Sequence, residues 1–197
     1  MIDHKTKLIL TDLDDSILEW RKTFWDYVRK NHDIMHDDFL TGTYKLEGWL
    51  KSSSLENIEK IDKIAQHFND TNLENVVPRE DAIDVVNELH LKHGYVFVGI
   101  SAVDYEPKSY EQRWKCLRKH FGNSFVGLFH SGRRQSKEPY LRSFQKSIWV
   151  EDLPENAVVG SKHHNTFLLK TDYIGNEEEL HNINIVSNWY DIFKRIT

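Results

Sequence analysis

The sequence predicts an α/β protein with a doubly wound parallel sheet and a small helical cap insertion after the first strand. From Pro78 onward, short apolar runs typical of buried strands alternate with segments in which apolar residues recur at helical spacing. Such alternation predicts right-handed βαβ crossovers, which place helices on both faces of a parallel sheet. An earlier apolar run, residues 8–11, ends in acidic residues and supplies a further buried strand.

The segment between this first strand and Pro78 has a different character. Its apolar residues recur at helical spacing in two places, whereas residues 37–54 have no clear period. We therefore divide the chain into a core of residues 1–19 and 76–197 and a mostly helical cap of residues 20–75. The helical positions are Trp20, Phe24, Tyr27 and Val28, and then Leu55, Ile58, Ile61, Ala65 and Phe68.

The region after Pro78 supplies most of the predicted sheet. Gly94 is expected to end the first helix of this region, because glycine readily adopts the left-handed conformation that closes a helix. The predicted strands cover residues 95–100, 125–129, 147–150 and 166–169. The predicted helices cover residues 79–91, about 110–121, 140–144 and 189–196, the last packing back on the domain.

Length and composition limit the class of protein. A chain of 197 residues is long enough for one domain with a modest insertion. Its hydrophobic fraction of 39% includes no run approaching the ~20 apolar residues that a membrane span needs, so no membrane association is expected. The N-terminus has no apolar signal region, and we expect a cytoplasmic protein. The one cysteine, Cys116, is expected to be a packed thiol.

The net charge of −5 bears on possible partners. Nonspecific binding to nucleic acid depends on Lys and Arg side chains that neutralise phosphates, so an acidic chain argues against it. A local basic groove is compatible with this charge. Nucleic acid is thus a possible partner that the net charge does not indicate.

Polar and charged side chains follow several predicted strands at their carboxyl ends. Ligands of parallel α/β sheets bind outside this edge, so these positions are the first candidates for a functional site. The residues are Asp12 and Asp14 after the first strand, Ser101 after the strand of residues 95–100, Glu151 and Asp152 after that of residues 147–150, and Lys137 in the connection before it.

The acidic residues of this set predict a metal site. A single carboxylate at a strand end is usually a cap or a salt-bridge partner, but carboxylates from two strand ends at one edge would repel one another. Mg²⁺ prefers oxygen ligands and keeps several waters, so it would relieve this repulsion. The candidate ligands are Asp12, Asp14, Glu151 and Asp152.

The same residues resemble the motifs of the haloacid dehalogenase-like phosphatases. The segment Asp12-Leu-Asp14-Asp-Ser16 is similar to the first motif of that superfamily, an Asp-x-Asp at the end of the first strand. Ser101 resembles the Ser/Thr of the second motif, Lys137 the lysine of the third, and Glu151-Asp152 the acidic pair of the fourth. The motifs occur in order, and the resemblance extends from Leu8 to about Leu169.

The resemblance implies a role for each residue. Asp12 would attack phosphorus and form an aspartyl-phosphate, while Asp14 would protonate the leaving oxygen and later activate water. The side chains of Asp12 and Glu151, with the main-chain carbonyl of Asp14, would hold Mg²⁺. Asp152 would act through a water or orient Lys137. Ser101 and Lys137 would bind the phosphoryl oxygens.

Three positions qualify the resemblance. Asp15 stands where glycine is commonest, and Glu151 stands where aspartate is commoner. Neither difference removes a required functional group. Lys146 is closer than Lys137 to the following strand, so it is an alternative phosphate-binding lysine; we prefer Lys137 because an intervening helix can return it to the site.

The resemblance implies Mg²⁺-dependent hydrolysis of a small phosphomonoester, with a nucleotide 5′- or 3′-phosphate as the expected substrate. An Asp-x-Asp motif followed directly by a helical insertion is similar to the 5′(3′)-deoxyribonucleotidases and to short nucleotidase-like proteins of phages. The polynucleotide 3′-phosphatases share the same motifs and are an alternative. A further alternative is a binding protein of this fold that engages nucleic acid or the transcription machinery and has weak or lost hydrolysis.

Overall fold

The protein is described in a computed structural model. It covers residues 7–32, 55–133, 135–169 and 180–197. The segment without a period in the sequence, residues 37–54, lies outside the described residues. Within the described ranges, no helix combines the length and the apolar character that crossing a bilayer requires.

The centre of the fold is a parallel sheet that has six strands in the described part of the chain. Their spatial order is β3-β2-β1-β4-β5-β6. The chain therefore starts with β1 in the interior of the sheet, adds β2 and β3 on one side, and then adds β4 to β6 on the other. The sheet therefore confirms the predicted α/β class. Its strands are β1 Lys7–Thr11, β2 Tyr95–Ser101, β3 Phe125–His130, β4 Ile148–Glu151, β5 Asn165–Leu169 and β6 Asn184–Val186.

Helices connect the strands and cover the sheet. Helix α3 ends where the sequence predicted, because Gly94 adopts a left-handed conformation with φ of 72° just after it. The helices are α1 Trp20–Asn31, α2 Leu55–Thr71, α3 Glu80–His93, α4 Pro107–Phe121, α5 Glu138–Leu141, α6 Pro154–Ser161 and α7 Trp189–Ile196, with a 3₁₀ turn at Leu73–Asn75.

Two elements are absent from the sequence-based prediction. Strand β6 has only three residues, of which Val186 alone is buried, so it has too few positions to show a strand period. Helix α6 is short and buries only Pro154, Ala157 and Gly160, so its apolar pattern is weak. The prediction that the last strand is residues 166–169 was wrong, because β6 pairs with β5 beyond it.

The helices of the predicted cap pack into the main apolar core. Trp20 stacks on Phe24 with ring centroids 4.9 Å apart, and Phe24 meets Phe68 of α2 edge to face at 5.5 Å. These rings belong to the same buried cluster as Leu13 and Cys116, which lie beside the sheet. Helices α1 and α2 are therefore anchored by burial of apolar surface. The division of the chain into core and cap residues stays a prediction.

The position of β1 at the centre of the sheet assembles the candidate site. Thr11, its last residue, pairs with Gly99 on β2 and Val150 on β4. Asp12 therefore emerges between the ends of β2 and β4. Since β2 ends at Ser101 and β4 at Glu151, the strand-end residues predicted from the sequence lie at one edge.

Helix α6 packs closely against β4, one of the strands that end at this edge. Gly160 lies against the buried indole of Trp149, and a Cβ atom at Gly160 would lie 2.1 Å from Trp149 Cδ1. A contact this short forces the indole or the helix to move. Gly160 is therefore required by packing.

We expect Gly160→Ala to lower the free energy of unfolding by roughly 2–3 kcal/mol, because the new methyl group overpacks the contact with Trp149. Urea denaturation measures this change. In a Trp149→Leu background the indole is gone, so the same substitution should cost at least about 1 kcal/mol less. Equal costs in both backgrounds would contradict this explanation.

Candidate active site

The turn after β1 projects two carboxylates from one short segment. The Asp12 amide donates a 2.8 Å hydrogen bond to the Val150 carbonyl, which continues the sheet pairing by one residue. The Leu18 amide then bonds back to the Leu13 carbonyl at 2.9 Å and closes the turn. Asp15 adopts a left-handed conformation with φ of 62°, which explains why glycine is common at this position in the resembling motif.

Lys137 lies in the centre of the site. Its ammonium donates to a carboxylate oxygen of Asp12 and, at 2.9 Å, to Glu151 Oε2. All three side chains are almost completely buried. Lys146 is exposed on the surface, so the structure places Lys137 with the predicted residues and leaves the alternative lysine outside.

Three of the four predicted metal ligands lie together. Asp12, Glu151 and Asp152 are buried, and one oxygen of each lies within 4.8 Å of the others. The Asp152 and Leu153 amides donate to Glu151 Oε1 at 3.1 and 3.2 Å, which fixes the Glu151 side chain at the start of α6. The longer Glu151 side chain thus reaches the cluster.

Asp152 is held by groups other than Lys137. It accepts a 2.9 Å contact from Arg21 Nη2 and a 3.3 Å hydrogen bond from the Ser16 hydroxyl. Arg21 also binds Asp15, through its Nε at 2.5 Å and its backbone amide at 3.1 Å. Arg21 therefore connects the turn after β1 to the end of β4. In this arrangement Glu151, rather than Asp152, orients Lys137.

The cluster carries an excess of negative charge. With Asp12, Asp15, Glu151 and Asp152 all ionised, the two cations among their described contacts, Lys137 and Arg21, leave two negative charges uncompensated.

Burial is the main cause of the raised pKa values in this cluster. Burial raises the pKa of Asp12 to about 8, although the Lys137 ammonium opposes the shift. Burial and the charge of Glu151 hold the pKa of Asp152 well above its ordinary value. Three buried carboxyl groups with one oxygen each within 4.8 Å of the others fit a hard divalent cation such as Mg²⁺, which would favour their ionised form.

Asp14 points away from this cluster and binds a different pair of residues. Ser101 donates its hydroxyl hydrogen to Asp14 Oδ2 at 2.9 Å, and Arg113 Nη2 donates to Asp14 Oδ1 at 2.6 Å. Both carboxylate oxygens are therefore engaged. The Asp14 side chain is 22% exposed, whereas Arg113 on α4 is completely buried.

Arg113 and Arg21 were not among the residues predicted from the sequence. Arg113 occupies the buried face of α4, together with Cys116 and Leu117, where a charged side chain is rare without a partner. An arginine on this apolar helix face could therefore have been recognised in the sequence as a candidate site residue. Arg21 gives no such signal, because it sits in the first turn of α1 among mixed polar residues.

A buried histidine lies near this pair. His130 ends β3 and is 7% exposed, and neither ring nitrogen has a hydrogen-bond partner among the described residues. Burial, together with the charge of the Arg113 guanidinium, lowers the pKa of His130 to about 4. The imidazole is therefore neutral near pH 7. By contrast, burial raises the pKa of the Cys116 thiol to about 11, as suits the packed thiol predicted from the sequence.

Comparison with known proteins identifies the class of fold. No protein-family model and no curated protein sequence matches the chain. Among solved structures, the chain is similar to a haloacid dehalogenase-like family hydrolase from Streptococcus pneumoniae, with a TM-score of 0.65 and 12% sequence identity. The match covers 98% of this chain and 99% of that one. The chain therefore has the fold of the haloacid dehalogenase-like hydrolases.

Two further structures have the same fold. The HAD-hydrolase YfnB from Bacillus subtilis, solved with bound magnesium, matches with a TM-score of 0.60 and 12% identity over 98% of this chain and 99% of its own. The defluorinating L-2-haloacid dehalogenase Rha0230 matches with a TM-score of 0.57 and 13% identity over 97% and 95%. The fold thus includes proteins of more than one activity, so the chemistry must be argued from the site.

The neutral His130 predicts a pH dependence of stability. Its pKa is about 4 in the folded protein and about 6.5 in an unfolded chain, so between these values the unfolded chain binds more protons. Stability is then lost as the pH falls. We expect the free energy of unfolding to decrease between pH 7 and pH 5 by about 2 kcal/mol more in the wild type than in His130→Gln. Urea denaturation at the two pH values measures the difference, and parallel losses would contradict the prediction.

Proposed function

We propose that this protein is a Mg²⁺-dependent phosphomonoester hydrolase that acts through an aspartyl-phosphate on Asp12. The observation that carries the proposal is the buried cluster of Asp12, Glu151 and Asp152, in which the Lys137 ammonium contacts Asp12 and Glu151. Phosphoryl transfer needs a positioned nucleophile and positive charge around the transferring group. A cation-binding cluster that includes the candidate nucleophile fits both needs.

The donor set fits a magnesium ion. The side chains of Asp12 and Glu151 would hold it, with the main-chain carbonyl of Asp14, and Asp152 would contribute directly or through a water. When bound, the ion would neutralise charge on the phosphoryl oxygens and keep Asp12 in its carboxylate form. The remaining chemistry belongs to the side chains.

In the first step, an oxygen of Asp12 attacks phosphorus while the bond from phosphorus to the leaving oxygen breaks. Asp14, a carboxylate paired with Arg113 before the reaction, takes a proton from solvent at its exposed part and gives it to that oxygen, so the alcohol leaves as a neutral molecule. In the second step, Asp14 takes a proton from water as the water attacks the aspartyl-phosphate. The bond between Asp12 and phosphorus breaks, which releases inorganic phosphate and restores both carboxyl groups.

Lys137 and Ser101 would bind the phosphoryl oxygens. An ammonium has three N–H donors, and Lys137 uses two of them on Asp12 and Glu151, which leaves one for the substrate. The Ser101 hydroxyl donates to Asp14 in the described arrangement. It would rotate toward the phosphoryl group when the substrate binds.

Dehalogenation is the competing activity, because one structural neighbour is a haloacid dehalogenase. Dehalogenation is likewise a displacement by a nucleophile, but the attack is on carbon instead of phosphorus. Its leaving group is a halide, which needs no proton. A proton donor such as Asp14 and a cluster that attracts a divalent cation serve no step of it. The residues of the site therefore favour phosphoryl transfer.

We expect the protein to hydrolyse p-nitrophenyl phosphate only when Mg²⁺ is present, with activity removed by EDTA and restored by added Mg²⁺. Asp12→Asn should lower kcat at least about 10³-fold, because it removes the nucleophile. Glu151→Gln should weaken the apparent affinity for Mg²⁺ roughly tenfold or more. Release of p-nitrophenol measures all three effects.

Lys146→Gln is the matched control for this experiment, because Lys146 is exposed and contacts none of these residues. It should leave kcat unchanged. Hydrolysis that persists in EDTA, or that is equal in Asp12→Asn, would refute the proposed mechanism. Chloride release from 2-chloropropionate without phosphatase activity would assign the site to dehalogenation.

We further propose a nucleotide 5′- or 3′-phosphate as the substrate. The support is the sequence resemblance to deoxyribonucleotidases, in which a helical insertion follows the Asp-x-Asp motif directly. In this protein α1 likewise begins shortly after Asp14. A polynucleotide 3′-phosphate is the alternative substrate, and a binding protein that engages nucleic acid or the transcription machinery is the alternative function.

A substrate screen separates these possibilities. We expect kcat/KM for nucleoside monophosphates to exceed that for p-nitrophenyl phosphate by at least about tenfold, because added binding energy lowers the barrier. Phosphate release from 3′-phosphorylated oligonucleotides is measured in parallel. A preference for the oligonucleotide would identify a polynucleotide 3′-phosphatase. A stable nucleic-acid complex that persists in Asp12→Asn, without turnover of any phosphate, would support the binding protein.

A further inference from the structure

Arg113 reaches the candidate site from the interior of the protein. It lies on the buried face of α4, and its side chain is 0% exposed. Its Nη2 donates to Asp14 Oδ1 at 2.6 Å. The Nε and Nη1 atoms are also buried and have no hydrogen-bond partner among the described residues. Asp14 is therefore the acidic group that the described structure supplies to this cation.

The two donors on Asp14 determine where its carboxylate points. Ser101 binds one oxygen and Arg113 the other, so rotation of the carboxylate breaks at least one of the two hydrogen bonds. The Ser101 contact comes from a neutral hydroxyl, whereas the Arg113 contact joins two oppositely charged groups and is the stronger of the two. The guanidinium is thus the main restraint on Asp14. It comes from a helix that supplies none of the other described site residues.

The pair is asymmetric in its burial. The Asp14 side chain is partly exposed, whereas that of Arg113 has no contact with solvent. Loss of Asp14 would leave a buried cation without its partner, which is strongly destabilising. Loss of Arg113 would leave a carboxylate that water can still reach. The two single substitutions should therefore differ in their effect on stability.

We propose that Arg113 is a positioning residue for the reaction, which holds the Asp14 carboxylate in line with the leaving oxygen. The inference rests on the proposed function, because it assigns Asp14 the proton transfers of that mechanism. Arg113 does not touch the substrate. Its effect on turnover is exerted through the placement of Asp14, where a misplacement of about 1 Å can cost about 10²-fold in rate.

The kinetic test compares Arg113→Met, Arg113→Lys and Arg118→Met in the full-length protein with p-nitrophenyl phosphate and Mg²⁺. Arg113→Met should lower kcat by about 10- to 100-fold and change KM by less than about twofold. Arg113→Lys restores a cation and should recover at least about a third of the decrease in log kcat that Arg113→Met causes. Arg118→Met is the matched control, because Arg118 is exposed on the same helix. It should leave kcat unchanged.

The apparent Mg²⁺ affinity, taken from thermal shifts, should change by less than about twofold in Arg113→Met, because the acidic cluster is not altered. A wild-type kcat in Arg113→Met would overturn the proposal. So would a loss of activity that Arg113→Lys does not recover at all, or a rise in KM without a fall in kcat.

The stability test does not depend on turnover. Asp14→Asn should lower Tm by roughly 10 °C, whereas Arg113→Met should lower it by less than half as much. The double variant Asp14→Asn/Arg113→Met should be more stable than Asp14→Asn alone. If the wild type hydrolyses no phosphomonoester, the proposed function is wrong. Non-additive Tm changes would still show that Arg113 and Asp14 form a pair. Additive Tm changes would overturn the pairing itself.

Discussion

The Lys137 ammonium, buried between Asp12 and Glu151, is the contact on which the candidate site depends. Carboxylates removed from water repel one another, and their assembly is favourable only if cations join them. Lys137 supplies one such cation, and Arg21 supplies another through Asp15 and Asp152. The buried acidic cluster that results is compatible with a site for a divalent cation. Structural stability and proposed chemistry thus have the same electrostatic origin.

The architecture of the sheet makes this assembly possible. Because β1 lies between β2 and β4 in a parallel sheet, the residues after three strands meet at one edge although they are distant in sequence. The strands bury apolar side chains on both faces, which fixes their ends with little freedom. Carboxylates that start from such rigid positions need little ordering when a ligand binds, so less conformational entropy is lost.

Most elements could be predicted from the sequence because their periods are local. Strands β1 to β5 and helices α1 to α4 and α7 lie close to the predicted positions, and Gly94 ends α3 as expected. Strand β6 and helix α6 were missed, since three residues show no period and α6 buries few side chains. The motifs at three strand ends likewise predict that Asp12, Asp14, Ser101 and Glu151 lie at one edge of the sheet, because the direction of a parallel strand determines where its last residue lies.

The sequence by itself determined the class of fold, through the alternation of strand and helix patterns, and which functional groups end the strands. Those properties depend on residue type and on periods of two to four residues, which neighbouring positions establish. Only the tertiary structure decided how the charges pair. It joined Lys137 to Glu151 and Asp12, Arg21 to Asp152, and Arg113 to Asp14, the last across a separation of 99 residues. Such pairing depends on the packing of whole helices against the sheet, and no local pattern carries that information.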